Sequence, residues 1–239
     1  MSETERLYQQ RARAGAVPFD EGLRKYMLGV YNYMAMGVAA TALIAFFFLT
    51  NQAALQFAMG LRFLPFIGLI ALGFLAPRMI MGGSAALAHG AYWGYVFLWG
   101  MLIGPVVAVY VGFGLAGMVA QAFFIAASVF LAMSLYGYTT KRDLSAWGKF
   151  LFMAAVGLLI AIVVNIFLGS PLISFLTSGA VVLVFSGVTA YETQMIKGLY
   201  VEGGGEANNR AAIFGAFALY GTFVTLFIHI LNLLALSRE

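Results

Sequence analysis

Seven long apolar stretches dominate this sequence and decide what it can fold into. A helix that crosses the hydrocarbon core of a bilayer needs about 20 mostly apolar residues, and seven stretches meet that requirement. They cover residues 28–50, 62–80, 91–110, 115–137, 147–168, 172–191 and 211–236. Only 9% of all residues are charged, whereas a soluble domain carries about 25%. The sequence therefore predicts an all-α integral membrane protein with seven transmembrane helices.

The residues outside these stretches form a polar tail and brief connections. Residues 1–27 are polar, and they precede one transmembrane domain over residues 28–239. The segment 168–172 predicts a tight turn, because a glycine ends one helix and a proline opens the next. The longest connection, residues 192–210, holds three consecutive glycines and predicts a flexible loop. No connection is long enough for a soluble catalytic domain.

Basic residues concentrate on one side of the predicted spans. Of the 13 Lys and Arg residues, all but Arg62 and Arg238 fall in the tail or in connections on the same side as the tail. They are Arg6, Arg11, Arg13, Arg24, Lys25, Arg78, Lys141, Arg142, Lys149, Lys197 and Arg210. Because short cytoplasmic loops carry an excess of Lys and Arg, the N-terminus is predicted to be cytoplasmic and the C-terminus to lie outside. The same rule explains the net charge of +4 without a nucleic-acid partner.

Two charged residues lie at the ends of predicted spans, away from evident loops. Arg78 is near the end of span two and Glu192 is at the end of span six, so both fall on the cytoplasmic side. Charges near hydrocarbon are costly and mark functional candidates, and these two could pair. Alternatively, each side chain simply extends to the lipid headgroups. A carboxylate is disfavoured at a helix C-terminus, which leads to the hypothesis that proton binding by Glu192 opens or closes a cytoplasmic gate.

Span seven carries a stripe of small and polar residues. Thr222, Thr225, His229 and Asn232 follow one another at helical spacing, so their side chains share one face. One interpretation is a packing seam, in which hydroxyls and amides bond across helices. The other is the wall of a pathway. His229 has no second histidine or carboxylate one turn away, so the stripe does not predict a metal site.

Enzyme signatures are missing from the sequence. It contains no HExxH, GxSxG, P-loop or dinucleotide-binding pattern. Glu192 is the one carboxylate near hydrocarbon, so the paired acids of an intramembrane aspartyl protease cannot be formed. The sequence therefore predicts neither catalytic activity nor a bound cofactor.

Short motifs, in a fixed order along the spans, make the chain resemble a known family. The first is Thr139-Thr-Lys-Arg-Asp-Leu-Ser145 after span four, and Ser170-Pro171 opens span six. Tyr191-Glu-Thr-Gln194 closes span six, and Leu219-Tyr220 lies early in span seven. In this order, with seven spans, the chain from Tyr26 onward resembles the Bax inhibitor family, also called the transmembrane Bax-inhibitor-motif family, and within it the bacterial branch.

The resemblance implies a fold, an activity and a set of residues. It implies a seven-helix bundle in which six helices surround the last one, and a pH-dependent calcium leak. The family's two proton-sensing aspartates correspond to Glu192 and Thr222, and an arginine that can engage them corresponds to Arg78. Glu192 then becomes a possible calcium contact. Threonine cannot share a proton as a second carboxylate does, so the double-acid switch is not reproduced here.

Two functions follow as expectations for a protein of the bacterial inner membrane. The first is a calcium-leak channel, or one for other cations, with cytoplasmic-side gating by Glu192 and Arg78. The second is a non-transporting protein that binds and modulates a membrane partner such as a membrane-bound AAA protease, to which some bacterial relatives are linked. In both, the lipid bilayer is the immediate partner.

Overall fold

The computed structural model describes residues 20–61 and 63–238, and within these ranges the chain forms eight α-helices and no strands. The helices are α1 (Glu21–Thr50), α2 (Gln52–Gly60), α3 (Phe63–Gly82), α4 (Ala85–Gly112), α5 (Ala116–Thr139), α6 (Ser145–Leu168), α7 (Pro171–Gly198) and α8 (Gly205–Leu236). All except α2 are long and apolar enough to cross a membrane. They match the seven predicted spans in order, so the predicted fold class is confirmed.

Helix α8 is the core of the bundle. Of its most apolar 18-residue stretch, 78% is buried, whereas no other spanning helix exceeds 33%. Helices α1, α3, α4, α5 and α7 all pack against it. The central position expected of the last helix is therefore confirmed, but the expectation that six helices surround it needs correction. Helix α6 packs chiefly on α7, and within α6 Leu151 is the one buried residue.

Helix α1 begins earlier than the boundary at residue 27 predicts. It starts at Glu21, where the Asp20 carboxylate accepts a hydrogen bond from the Leu23 amide at 2.9 Å. Such a cap satisfies an amide that has no partner inside the helix. Hydropathy locates the part of a helix that enters lipid, and α1 extends beyond that part. Residues 1–19 of the tail lie outside the described residues.

Helix α7 ends later than predicted, which removes most of the predicted flexible loop. It continues to Gly198, and α8 begins at Gly205, so the connection is only residues 199–204. The Asn208 side chain binds both backbone groups of Val201, accepting from its nitrogen at 3.0 Å and donating to its oxygen at 2.7 Å. The prediction of a long loop over residues 192–210 was therefore wrong.

The tight turn between α6 and α7 is confirmed. Gly169 has a φ of 61°, a left-handed conformation that glycine adopts without steric cost. Ser170 then caps α7 by accepting a hydrogen bond from the Ile173 amide at 3.4 Å. Short helix α2 was not predicted, because its nine residues are too few to span a bilayer.

Candidate functional site

Glu192 and Thr222 form a direct contact inside the bundle. The Thr222 hydroxyl donates a hydrogen bond to Oε2 of Glu192 at 2.7 Å. Thr222 is buried, and Glu192 is partly buried. The Glu192 carboxylate thus accepts a hydrogen bond from a neutral hydroxyl group of the central helix α8. The two positions that the sequence singled out, on different helices, are therefore brought together.

This contact exists because α7 continues past Glu192. The predicted span ended at residue 191, which would have left Glu192 at the membrane surface, far from Thr222. Instead, Ile196 on α7 packs against Gly215 on α8. Both residues lie deeper in the bundle than this contact between Ile196 and Gly215. Glu192 is about one helical turn deeper on α7, and Thr222 is about two turns deeper on α8. Glu192 is thus six residues from the end of its helix, and the helix dipole acts on it less than predicted.

Tyr95 of α4 packs against α8 beside Thr222. Its hydroxyl lies against Gly221, the residue before Thr222, where the Cβ of any larger residue would overlap it. Its ring packs on Phe217, one turn before Gly221, with centroids 4.2 Å apart. This position could not be singled out from the sequence, since a tyrosine within an apolar span is ordinary. The site therefore combines three helices: α4, α7 and α8.

Arg78 does not contact Glu192 in this structure. It is exposed on α3, and among the described residues it makes no ion pair or hydrogen bond with either Glu192 or Thr222. An ion pair does form elsewhere among the described residues, where Arg210 contacts Glu206 at 2.8 Å. The predicted pairing of Arg78 with Glu192 thus requires an arrangement of helices other than the one described.

The residues that flank Glu192 connect α7 to its neighbours. The Thr193 hydroxyl lies 2.9 Å from that of Ser134 on α5, which in turn lies 2.6 Å from the hydroxyl of Tyr31 on α1. Lys197 donates to the carbonyl oxygen of Tyr138 at 2.9 Å. These contacts hold the end of α7 against α5. They therefore restrict the movement of the helical segment that carries Glu192.

Gln194 clamps the loop between α5 and α6. Its side-chain oxygen accepts from the Leu144 amide, and its nitrogen donates to the Arg142 carbonyl, both at 2.8 Å. In the same loop, hydrogen bonds from Ser145 lower the pKa of Asp143, which stays ionised at neutral pH. The loop is exposed but tied at both ends.

Replacing Gln194 by alanine is expected to loosen this loop. Two hydrogen bonds are lost, each contributing about 1 kcal/mol, while α7 itself is kept. Trypsin should then cleave purified protein faster after Lys141 and Arg142, as followed by gel electrophoresis. Gln121→Ala is the matched control, because Gln121 is exposed on α5 away from the loop. Equal cleavage rates for both variants would contradict the clamp.

The polar stripe of α8 divides between two regions. Thr225 bonds to the Gly221 carbonyl of its own helix at 2.8 Å. Further along, His229 Nδ1 lies 3.1 Å from the Ser178 hydroxyl, and the Asn232 side chain donates to Ser174 and Ser178 at 2.9 and 2.8 Å. These bonds across helices are the kind expected of a packing seam. A cavity lies beside the same residues, so the stripe also borders open space.

No metal site is formed by the described residues. They contain no group of three His, Asp or Glu side chains that could hold an ion. Calcium takes six to eight oxygen ligands, and here Glu192 and Thr222 contribute one carboxylate and one hydroxyl.

Comparison with known proteins agrees with this architecture. The family model described as "Inhibitor of apoptosis-promoting Bax1" matches residues 23–239. An uncharacterized protein of Rickettsia prowazekii is 40% identical over 225 residues, covering 92% of this chain and 93% of the relative. The inner membrane protein YbhL of Escherichia coli is 36% identical over 224 residues, covering 91% and 94%. Since the match covers the whole bundle, the chain belongs to the Bax inhibitor family.

Proposed function

We propose that this protein is a multi-pass channel that lets calcium leak across the bacterial inner membrane, with a pH-sensitive gate at Glu192. The observation that carries the proposal is the contact between Glu192 and Thr222 at 2.7 Å, formed within the bundle against its central helix. Both positions correspond to the proton-sensing residues that the family resemblance implies.

The chemistry of Glu192 suits a gate. An acid kept within a membrane bundle is costly and favours a function in ion or proton movement. None of the described Lys or Arg side chains forms an ion pair with Glu192. Its charge is therefore available to a proton or a cation. Thr222 donates to the ionised carboxylate, and on protonation the carboxyl becomes a donor itself, so the local bonding depends on pH.

Arg78 has a conditional part in this proposal. It makes no contact with Glu192 in the structure, so it can act on the gate only in a second conformation, in which α3 and α7 have approached. A cation brought to Glu192 would compete with calcium for the carboxylate. Arg78 would then favour the closed state.

The orientation is part of the proposal. The distribution of Lys and Arg predicts a cytoplasmic N-terminus, and the similar YbhL is described as an inner membrane protein. Glu192 lies six residues from the end of α7, about 9 Å along the helix axis. With this orientation the gate lies on the cytoplasmic side of the bilayer centre.

Calcium efflux from loaded liposomes tests the proposal. Purified full-length protein is reconstituted into calcium-loaded vesicles, and an external indicator reports efflux between about pH 5 and about pH 8. We expect efflux faster than from protein-free vesicles, and a rate that changes with pH. Vesicles loaded with glucose are the control for a nonspecific leak.

Absence of efflux at every pH would overturn the channel proposal. In that case the function expected from the sequence as the alternative, binding to a membrane-bound protease, becomes the one to pursue. Copurification from detergent-solubilised membranes would test it.

A further inference from the structure

A cavity of about 320 Å³ lies at the end of the bundle opposite Glu192. Helices α4, α6, α7 and α8 contribute to its wall. More than half of its lining residues carry polar but uncharged side chains, namely Tyr110, Asn165, Ser174, Thr177, Ser178, His229 and Asn232. The rest of the wall is apolar and comes from Val106, Ile162, Ile166, Ile228 and Leu231. Polar side chains clustered in this way are unusual within helices whose surface is otherwise apolar, and they favour contents that form hydrogen bonds.

The cavity is close to one membrane face. Ser174 is three residues from the start of α7, and Asn232 is four residues from the end of α8. Tyr110 and Asn165 are equally near the ends of α4 and α6. At about 1.5 Å per residue, these side chains start within about 6 Å of their helix ends. These polar side chains are therefore close to the aqueous phase at that membrane face.

Some hydrogen-bonding capacity remains inside the cavity. Asn232 uses its nitrogen for Ser174 and Ser178, and His229 uses Nδ1 for Ser178. Among the described residues, Nε2 of His229 and Oδ1 of Asn232 have no partner, yet neither is an enclosed polar atom. Both atoms are thus open to the contents of the cavity. A polar cavity needs only about 10–15 Å³ to hold one water molecule, so this volume accepts several.

We propose that this cavity is a hydrated vestibule, open to the non-cytoplasmic side, that takes water and small hydrophilic solutes. His229 is its innermost polar group on α8. Thr222 lies seven residues before His229 on the same helix, deeper in the bundle. That separation is about 10 Å, so the vestibule brings water to within two helical turns of the Glu192 site. The vestibule exists whether or not calcium crosses the protein.

Cysteine accessibility tests the vestibule directly. The chain contains no cysteine, so each single variant carries the only thiol. Ser174→Cys and Thr177→Cys place that thiol on the cavity wall. Leu183→Cys is the matched control, because it lies on the same helix but is 77% exposed on the outside of the bundle. A small, positively charged methanethiosulfonate is added to right-side-out and to inside-out membrane vesicles.

We expect the two wall variants to react about tenfold faster than Leu183→Cys, since thiolate is the reacting form and needs water. The reaction should be faster in right-side-out vesicles. A membrane-soluble maleimide given to denatured samples confirms that every thiol is present. Adding Asn232→Leu to Ser174→Cys should slow the reaction, because an apolar side chain then fills polar space.

Three results would overturn the proposal. The wall variants could react no faster than Leu183→Cys, or they could react only with a membrane-soluble maleimide in intact vesicles, which would indicate a lipid-filled cleft. Faster reaction in inside-out vesicles would place the opening on the wrong side. The side of the opening rests on the orientation given with the proposed function. None of these readouts involves calcium, so a failure of calcium efflux leaves the vestibule intact, and a failure of the vestibule leaves calcium efflux intact.

Discussion

Replacing Glu192 by glutamine is expected to abolish the pH dependence of calcium efflux from loaded liposomes. Glutamine keeps the length of the side chain, and its amide oxygen can still accept the Thr222 hydrogen bond seen at 2.7 Å. It can neither gain nor lose a proton, and it carries no charge to attract calcium. The flux of the variant should therefore be lower at the pH where the wild type is most active, and flat across the pH range.

The controls for this experiment follow from the titratable groups of the chain. Glu202→Gln removes an exposed carboxylate of the loop between α7 and α8 and should leave the profile unchanged. Histidine ordinarily titrates between about pH 5 and about pH 8, so His89→Gln and His229→Gln are also needed. A flat profile in His229→Gln, with an unchanged one in Glu192→Gln, would show that the gate has been placed on the wrong residue.

Two further variants separate the roles around Glu192. Thr222→Val keeps the shape of threonine but removes the hydrogen-bond donor to Glu192. Calcium efflux should therefore still depend on pH, but its pH profile should shift along the pH axis. Arg78→Ala should raise efflux if Arg78 competes with calcium for the carboxylate. An unchanged flux in Arg78→Ala would remove Arg78 from the gate without affecting the role of Glu192.

Replacing Gly137 by alanine is expected to give the largest loss of stability from a single added methyl group. Gly137 on α5 faces the backbone of α7, where the new Cβ would overlap the carbonyl oxygen of Ala190 and lie 2.9 Å from its Cα. Backbone atoms cannot turn aside as a flexible side chain can, so the two helices must separate. Overpacking of this kind costs about 3 kcal/mol, and the unfolding temperature in detergent should fall accordingly.

Gly179→Ala provides the matched comparison. Gly179 lies in α7, and beyond its own stretch of that helix no described atom is within 4 Å of a Cβ placed there. Alanine favours helix over glycine by about 1 kcal/mol, so this variant should be as stable as the wild type or more so. Equal stability of Gly137→Ala and Gly179→Ala would contradict the close crossing of α5 and α7. Because Ala190 is two residues from Glu192, Gly137→Ala should also disturb calcium efflux.

The spans could be predicted from the sequence because membrane insertion depends on local composition. Each of the seven stretches is apolar over a length that matches the bilayer, whatever the rest of the chain does. The turn at Gly169 and Ser170 was also predictable, since a glycine and a proline act on their own backbone. The ends of α1 and α7 were not, because polar residues such as Glu21 and Lys197 extend a helix outside the apolar stretch.

The candidate site was predicted in part. Glu192 and Thr222 were both identified from the sequence as candidate gating residues. Their contact could not be predicted, because it requires α7 to continue past the apolar run and to cross α8 at Gly215. Tyr95 was missed, because its role comes from α4 packing beside Gly221. The expected partner Arg78 lies elsewhere in this conformation, since proximity to one membrane face does not decide which helices touch.

What the sequence by itself determined is the class of protein: seven apolar helices, a basic excess on one side and a family resemblance over nearly the whole chain. Hydropathy is a property of each segment alone, so no tertiary contact was needed. Only the tertiary structure decided that α8 is enclosed while α6 lies at the edge, that Glu192 is bound by Thr222 and that His229 borders a polar cavity. These features depend on the crossing points of helices that are far apart in the chain, where small residues such as Gly137, Gly215 and Gly221 let neighbours approach.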